Sequence, residues 1–188
     1  LSGTYFRMLG ILNGDSTALD QEYTLLRPGT DGGLLLDAFQ EPPAPAFASV
    51  DPISGTAAGD ALAQRIVRPQ KFFGTDFSIV TAPVDPQAGL PDALPSIAAK
   101  DGRVSGQITY WTAQWNGLSF NQGSPKPDGT YPTFTSQSST EGTVPLGGTY
   151  DAASGHVVLT WRSLIQGGPF NNQTGEWHLE GTLVPATR

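Results

Sequence analysis

The sequence predicts an all-β protein, an antiparallel two-sheet β-sandwich or jelly roll with long Pro/Gly-rich loops. Three observations carry this. Charged residues make up only 14% of the chain while Gly and Pro number 23 and 16, the balance of short strands joined by many turns. The C-terminal half alternates apolar and polar residues at period two. Turn signals of specific type separate the alternating runs. At 188 residues the chain is read as one domain, 1–188. A chain of this length buries ~70% of its unfolded surface, so it folds without metals or staples.

The opening LSGTYFRMLGIL holds seven large apolar or aromatic residues in twelve and reads as a strand buried on both faces. After the turn Asn13-Gly14-Asp15, EYTLL (22–26) is a second strand and GLLLDAF (33–39) a third. The stretch 41–60 contains four prolines, which forbid a regular ladder, and is predicted to be a surface excursion. ALAQRIV (61–67) has room for a single helical turn before Pro69. KFFGTDFSIVTA (71–82) resumes strand chemistry, with Phe73, Thr75, Phe77 and Ile79 on one face. A second Pro-rich excursion covers 83–102.

RVSGQITYWTAQW (103–115) reads as one strand, with Val104, Ile108 and Tyr110 on one side and Trp111, Ala113 and Trp115 on the other. Asn116-Gly117 follows between apolar neighbours, the strongest short hairpin signal because both turn positions need positive φ. A polar loop is expected at 123–142. In GTYDAASGHVVLTW, Asp151 starts a turn and Gly155 ends it in the left-handed region, with Val157, Leu159 and Trp161 inward. EWHLEGTLV (176–184) turns Trp177, Leu179 and Leu183 inward. Trp111, Trp115, Trp161 and Trp177 then form an aromatic core rather than a ligand platform.

Seventeen Asp and Glu against ten Lys and Arg give a net charge of −7, which argues against nucleic acid or an anionic membrane as partner. No apolar run approaches the ~20 residues of a membrane-spanning helix. Cysteine is absent, so disulfides and thiolate chemistry contribute nothing. The chain starts at Leu1 rather than Met, the pattern left by removal of an export signal.

Candidate chemistry is sparse. Only two histidines are present, His156 beside a turn and His178 on an outward face, and no nucleophile-elbow motif occurs. Glu176, His178 and Glu180 lie at i, i+2 and i+4, hence on one strand face. Such a set could hold zinc or iron, although a solvated outer face explains the same alternation. Glycosidase chemistry needs two carboxylates in a cleft. Most Asp residues here occupy turns, and Glu176 with Glu180 is the best remaining pair. Asp31 in GTDGG and Asp128 in KPDGT offer oxygen ligands in tight loops, and calcium is the cation they suit. Asn172-Gln173-Thr174 matches the N-glycosylation acceptor.

The phrases YWTAQWNGLSFNQG, GTYDAASGHVVLTWRSLIQGGPFNNQTGEWHLEGTLVP and YFRMLG resemble secreted bacterial proteins of the PEP-CTERM-sorted type. The resemblance covers about half the chain. It implies export and a place at the cell surface among exopolysaccharide, and it brings no catalytic residues. In such precursors a Val-Pro stretch leads into an apolar helix and a basic end, and LVPATR stands where that tail would begin.

These readings converge on a non-enzymatic secreted structural protein that self-associates, as a filament or extracellular-matrix subunit, by β-strand addition. Its assembly strand is the apolar N-terminus, Tyr5, Phe6, Met8, Leu9, Ile11 and Leu12, completing the sheet of a neighbour. An ordinary first strand of the same subunit explains the same residues. The alternative function is an extracellular carbohydrate-binding module using exposed aromatics, with Tyr110, Tyr131 and Phe134 as candidates, and extracellular polysaccharide as partner. No cofactor beyond calcium is implied.

Overall fold

The computed structural model describes residues 3–9, 23–28, 33–40, 66–68, 70–135 and 140–184. Among them are fifteen strands and no helix. The first part holds β1 (Tyr5–Leu9), β2 (Tyr23–Leu25), β3 (Arg27–Pro28), β4 (Val67–Arg68), β5 (Gln70–Phe72) and β6 (Thr75–Val80). The middle holds β7 (Ser96–Lys100), β8 (Arg103–Gln107), β9 (Thr112–Trp115), β10 (Leu118–Asn121), β11 (Thr133–Thr135) and β12 (Thr140–Gly142). The last three are β13 (Val144–Tyr150), β14 (His156–Leu164) and β15 (Thr174–Thr182).

They form an antiparallel sandwich, as the alternation predicts. One sheet has seven strands in the order β2-β1-β15-β14-β13-β8-β7, the other four in the order β10-β9-β6-β5. Two short pairs, β3–β4 and β11–β12, lie outside both. The sheets close on three tryptophans: Trp111, Trp161 and Trp177 are at most 2% exposed. Trp161 and Trp177 are register partners on β14 and β15 with stacked rings 6.0 Å apart. Trp111 meets both edge-on, at 5.2 and 5.4 Å, the arrangement favoured by the ring quadrupole. Trp115 is half-buried against this core and donates its indole N–H to the Phe72 carbonyl at 2.7 Å.

Two turns form as their sequences dictate. Asn116 and Gly117, at φ 49° and 72°, join β9 to β10 in the register Trp115↔Leu118. Asp151 to Gly155 joins β13 to β14, with Gly155 at φ 73°. On β14 the inward residues are Val157, Leu159, Trp161 and Ser163, as the period-two reading places the first three.

Several segments differ from the sequence reading. The 71–82 stretch is a hairpin rather than one strand, because Phe73 and Gly74 both take positive φ and fold β5 onto β6. A phenylalanine is strained there, and its ring contacts with Phe72 and Phe170 offset the strain. The 103–115 stretch is two strands in two sheets. Residues 108–111 cross between them, so Ile108, Tyr110 and Trp111 are all buried regardless of parity. The 83–102 excursion ends in strand β7, folded onto β8 by Asp101-Gly102, both at positive φ. Residues 33–40 form bends instead of a third strand. Gln40 fixes them by accepting the Leu35 amide and donating to the Gly33 carbonyl. The polar loop 123–142 contains the β11–β12 pair. Of 61–67, Ile66 is in a turn and Val67 begins β4; residues 61–65 and the 41–60 excursion lie outside the described residues.

The N-terminal strand is interior to its sheet. β1 pairs with β2 on one side and β15 on the other, in the register Phe6↔Trp177. Phe6 and Met8 are buried in the core, at 4% and 1% exposure. Tyr5 and Phe6 thus have a partner strand on each side within the chain, and Met8 and Leu9 pair with β15, which corrects their assignment as a donated strand. Ile11 and Leu12 lie outside the described residues.

Candidate functional site

The chemically notable residues gather inside the sandwich. Ser163 is the polar member of the inward β14 row, and a hydroxyl on a buried face requires partners. It finds two: its Oγ donates to the Gly123 carbonyl and accepts from Lys126 Nζ, both at 2.8 Å. Lys126 also donates to the Asn121 carbonyl at 2.7 Å and lies 3.5 Å from Asn121 Oδ1. Asn121 closes β10. Its Oδ1 accepts the Gly123 amide at 2.9 Å, and its Nδ2 donates to Asp85 Oδ2 at 2.6 Å and to the Thr109 carbonyl at 3.1 Å.

Asp85 belongs to the turn Asp85-Pro86-Gln87-Ala88-Gly89. Its other oxygen accepts the Gln87 and Ala88 amides at 2.9 and 2.6 Å. Gln122 completes the floor, accepting the Trp161 indole on its carbonyl at 2.8 Å and the Trp177 indole on Oε1 at 3.4 Å. Gly123 has no alternative here, since a side chain would run into the Ile108 and Thr109 carbonyls. Asp85, Asn121, Gln122, Lys126 and Ser163 are each at most 3% exposed.

Burial sets the titration of this cluster. Desolvation pushes the Lys126 amine down to about 7, against the pull of Asp85 and Asp128. Desolvation pushes neighbouring Asp92 up to about 6. The Ala93 amide opposes this shift and the Asp85 charge adds to it. Asp92 Oδ2 is buried with no hydrogen-bond partner, an environment that disfavours the carboxylate. The Ser163–Lys126 contact has the spacing of a nucleophile and base. Its Ser163 proton is committed to Gly123, and at 0% exposure the hydroxyl offers no approach to an outside molecule.

The sequence-predicted sites stand elsewhere. Tyr110 is 3% exposed, which corrects its assignment as a sugar platform: it sits where the chain crosses between sheets. Tyr131 and Phe134 are exposed, at 43% and 38%, within one short segment. Asp128 accepts the Thr130 hydroxyl at 2.7 Å and the Thr130 amide at 3.0 Å, which hold its carboxyl below the ordinary value. That is the chemistry of an Asx turn. Asp31 lies outside the described residues. Among the described residues no three His, Asp or Glu side chains gather as a metal group.

On the outer face of β15, Glu176 is held between Arg7 and Arg162, at 2.7 and 2.8 Å. His178 stacks on Tyr5 at 4.8 Å and meets Glu180 at 2.8 Å, a hydrogen bond that draws the Glu180 carboxyl below its usual range. The face proposed for a metal or a glycosidase pair is thus laced internally. His156 is exposed beside its turn, and Asn172 is exposed with φ 68° while Thr174 is fully buried.

Compared with known protein families, with characterised proteins and with solved structures, the chain has no significant match.

The sequence reading passed over Lys126 and Asn121 and took Asp85 as a turn residue, which it is, without its reach to Asn121. Lys126 stands between two prolines in a polar stretch and reads as solvated. The one legible signal was the parity of Ser163, on the same face as Trp161.

Proposed function

We propose that this protein is a non-enzymatic structural subunit of the cell exterior that self-associates by strand addition at β7. One observation supports the reading above others. β7 ends the seven-stranded sheet, and four of its five residues, Ser96, Ala98, Ala99 and Lys100, are exposed. β8 beside it buries only Val104 fully. Among the described residues no strand pairs with the outer edge of β7, and its exposed side chains other than Lys100 are small. Natural edges are usually blunted by interior charges or bulges. Here Lys100 and Arg103 stand only at the hairpin tip. Pairing of two β7 edges is isologous and closes as a dimer; pairing of β7 with a different edge propagates.

The two-residue turn makes Lys100–Arg103 a hydrogen-bonded pair, so by alternation the Ala99 amide faces away from β8. Ala99→Pro therefore blocks addition while leaving the hairpin ladder intact. The expected result is concentration-dependent assembly of the native chain in sedimentation velocity, and a folded monomer for the variant. A native chain that stays monomeric at high concentration and shows no fibres by electron microscopy overturns the reading.

A second reading rests on Tyr131 and Phe134, two exposed rings three residues apart. Rings so placed suit the apolar faces of sugars. If the protein binds a polysaccharide, affinity electrophoresis shows retardation that Tyr131→Ala abolishes. Unchanged mobility in a panel of polymers removes this reading.

A further inference from the structure

The buried cluster holds an amine, a carboxamide and a carboxylate in a row. We infer that Lys126 and Asn121 are set to join in an intramolecular isopeptide bond, with Asp85 as the proton carrier. The Lys126 Nζ–Asn121 Cγ bond forms, the Asn121 Cγ–Nδ2 bond breaks, and ammonia departs. One amine proton passes in net to the leaving nitrogen. The exchange of one amide for another needs no oxidant, reductant or further reactant.

Each participant is in place. Lys126 Nζ lies beside the Asn121 carboxamide, 3.5 Å from Oδ1, and Ser163 Oγ at 2.8 Å anchors the amine from the other side. The Gly123 amide donates to Oδ1 at 2.9 Å, where negative charge gathers when the carbon becomes tetrahedral. Asp85 Oδ2 is 2.6 Å from Nδ2, the atom that must receive a proton to leave. Asp85 is itself anchored by the Gln87 and Ala88 amides, so its free oxygen stays aimed at that nitrogen.

The surroundings favour the reaction. An amine is a nucleophile only when neutral, and desolvation brings Lys126 down to about 7. Reactants fixed in contact carry very high effective concentrations. Water, the competing nucleophile, is kept away, because all three side chains are at most 3% exposed. The product removes a buried ionisable group, which is where its benefit lies. The ring spans only residues 121 to 126, so the chain-entropy gain is small. It would give a chain with no cysteine a covalent tie between the end of β10 and the polar loop that follows it.

The test is the intact mass of the whole folded chain after prolonged incubation at pH 8, followed by peptide mapping. The expected mass is lower than the sequence requires by one ammonia. The loss should map to the peptide containing Asn121 and Lys126, without fragment ions between those residues. Lys126→Arg should restore the full sequence mass. The native chain at full mass overturns the proposal, because the amine is then only a buried ammonium with three acceptors. A loss that maps to Asn116-Gly117, where an exposed Asn-Gly turn can cyclise, or one that persists in Lys126→Arg, overturns it equally.

Discussion

Two turns of this molecule have the same local design and opposite surroundings. Asp85-Pro-Gln-Ala-Gly89 and Asp151-Ala-Ala-Ser-Gly155 are closed by equivalent backbone bonds. The Asp amide donates to residue i+5 at 2.9 Å in each, and the glycine amide returns to the Asp carbonyl at 2.8 Å. Both glycines have positive φ, 66° and 73°, and both aspartates accept the amide two residues on at 2.9 Å. At Asp151 the second oxygen takes the Ser154 hydroxyl, and this bond with the Ala153 amide holds the carboxyl low. At Asp85 the second oxygen reaches Asn121 across the fold, and the side chain is 1% exposed. Turn geometry is thus local chemistry, while the weight each aspartate carries depends on what packs over it.

Removing the two carboxylates should separate these roles most sharply. Asp85→Ala removes the acceptor of the Gln87 and Ala88 amides in the turn and leaves one Asn121 Nδ2 proton unpaired in the buried interior, a loss of about 3 kcal/mol in chemical denaturation. A loss no larger than that of a surface substitution would mean that the buried turn is no more than a turn. Next in size is Ser163→Ala at the far end of the same network. It leaves the Gly123 carbonyl and one Lys126 proton unpaired, at about 2 kcal/mol. An additive double variant with Asp85→Ala would show that the two ends do not communicate.

A pH dependence distinguishes the buried turn from the exposed one. Asp92 flanks the first turn, its amide bonded to the Pro83 carbonyl, and its folded value is raised from 3.8 to about 6. Between those values the folded state binds the extra proton, so this group's contribution falls as pH rises and is flat above about 6. Asp92→Asn should flatten that slope in unfolding curves measured from pH 4 to 7. An unchanged slope would remove Asp92 as its source. The smallest effect belongs to Asp151→Ala, expected to shift the denaturation midpoint barely at all, since water replaces its partners. A large shift there would dissolve the contrast between the turns.

Much of the frame was legible. Period-two patterning placed Val157, Leu159, Trp161 and Trp177 inward, and Asn116-Gly117 and Asp151 to Gly155 announced their hairpins. Asp101-Gly102 carried the same kind of signal and was overridden by the prolines at 83, 86, 91 and 95. Phe73-Gly74 was hidden because a phenylalanine at positive φ contradicts its own preference and is held there by Phe72 and Phe170. Tyr110 was misplaced because parity holds only inside one sheet, and the chain leaves one sheet for the other at 108–111.

The sequence by itself determined the all-β class, the inward parity of Trp161 and Trp177 and the turns at Asn116-Gly117 and Asp151 to Gly155, because each depends on neighbours within a few residues. Only the tertiary structure decided that Asp85, Asn121, Lys126 and Ser163 meet. They are brought together from a turn, a strand end, a polar loop and a different sheet, and nothing in their local sequence distinguishes a lysine that will be solvated from one that will be sealed. Burial is a property of what lies across the sandwich, and it turns four ordinary polar residues into one connected site.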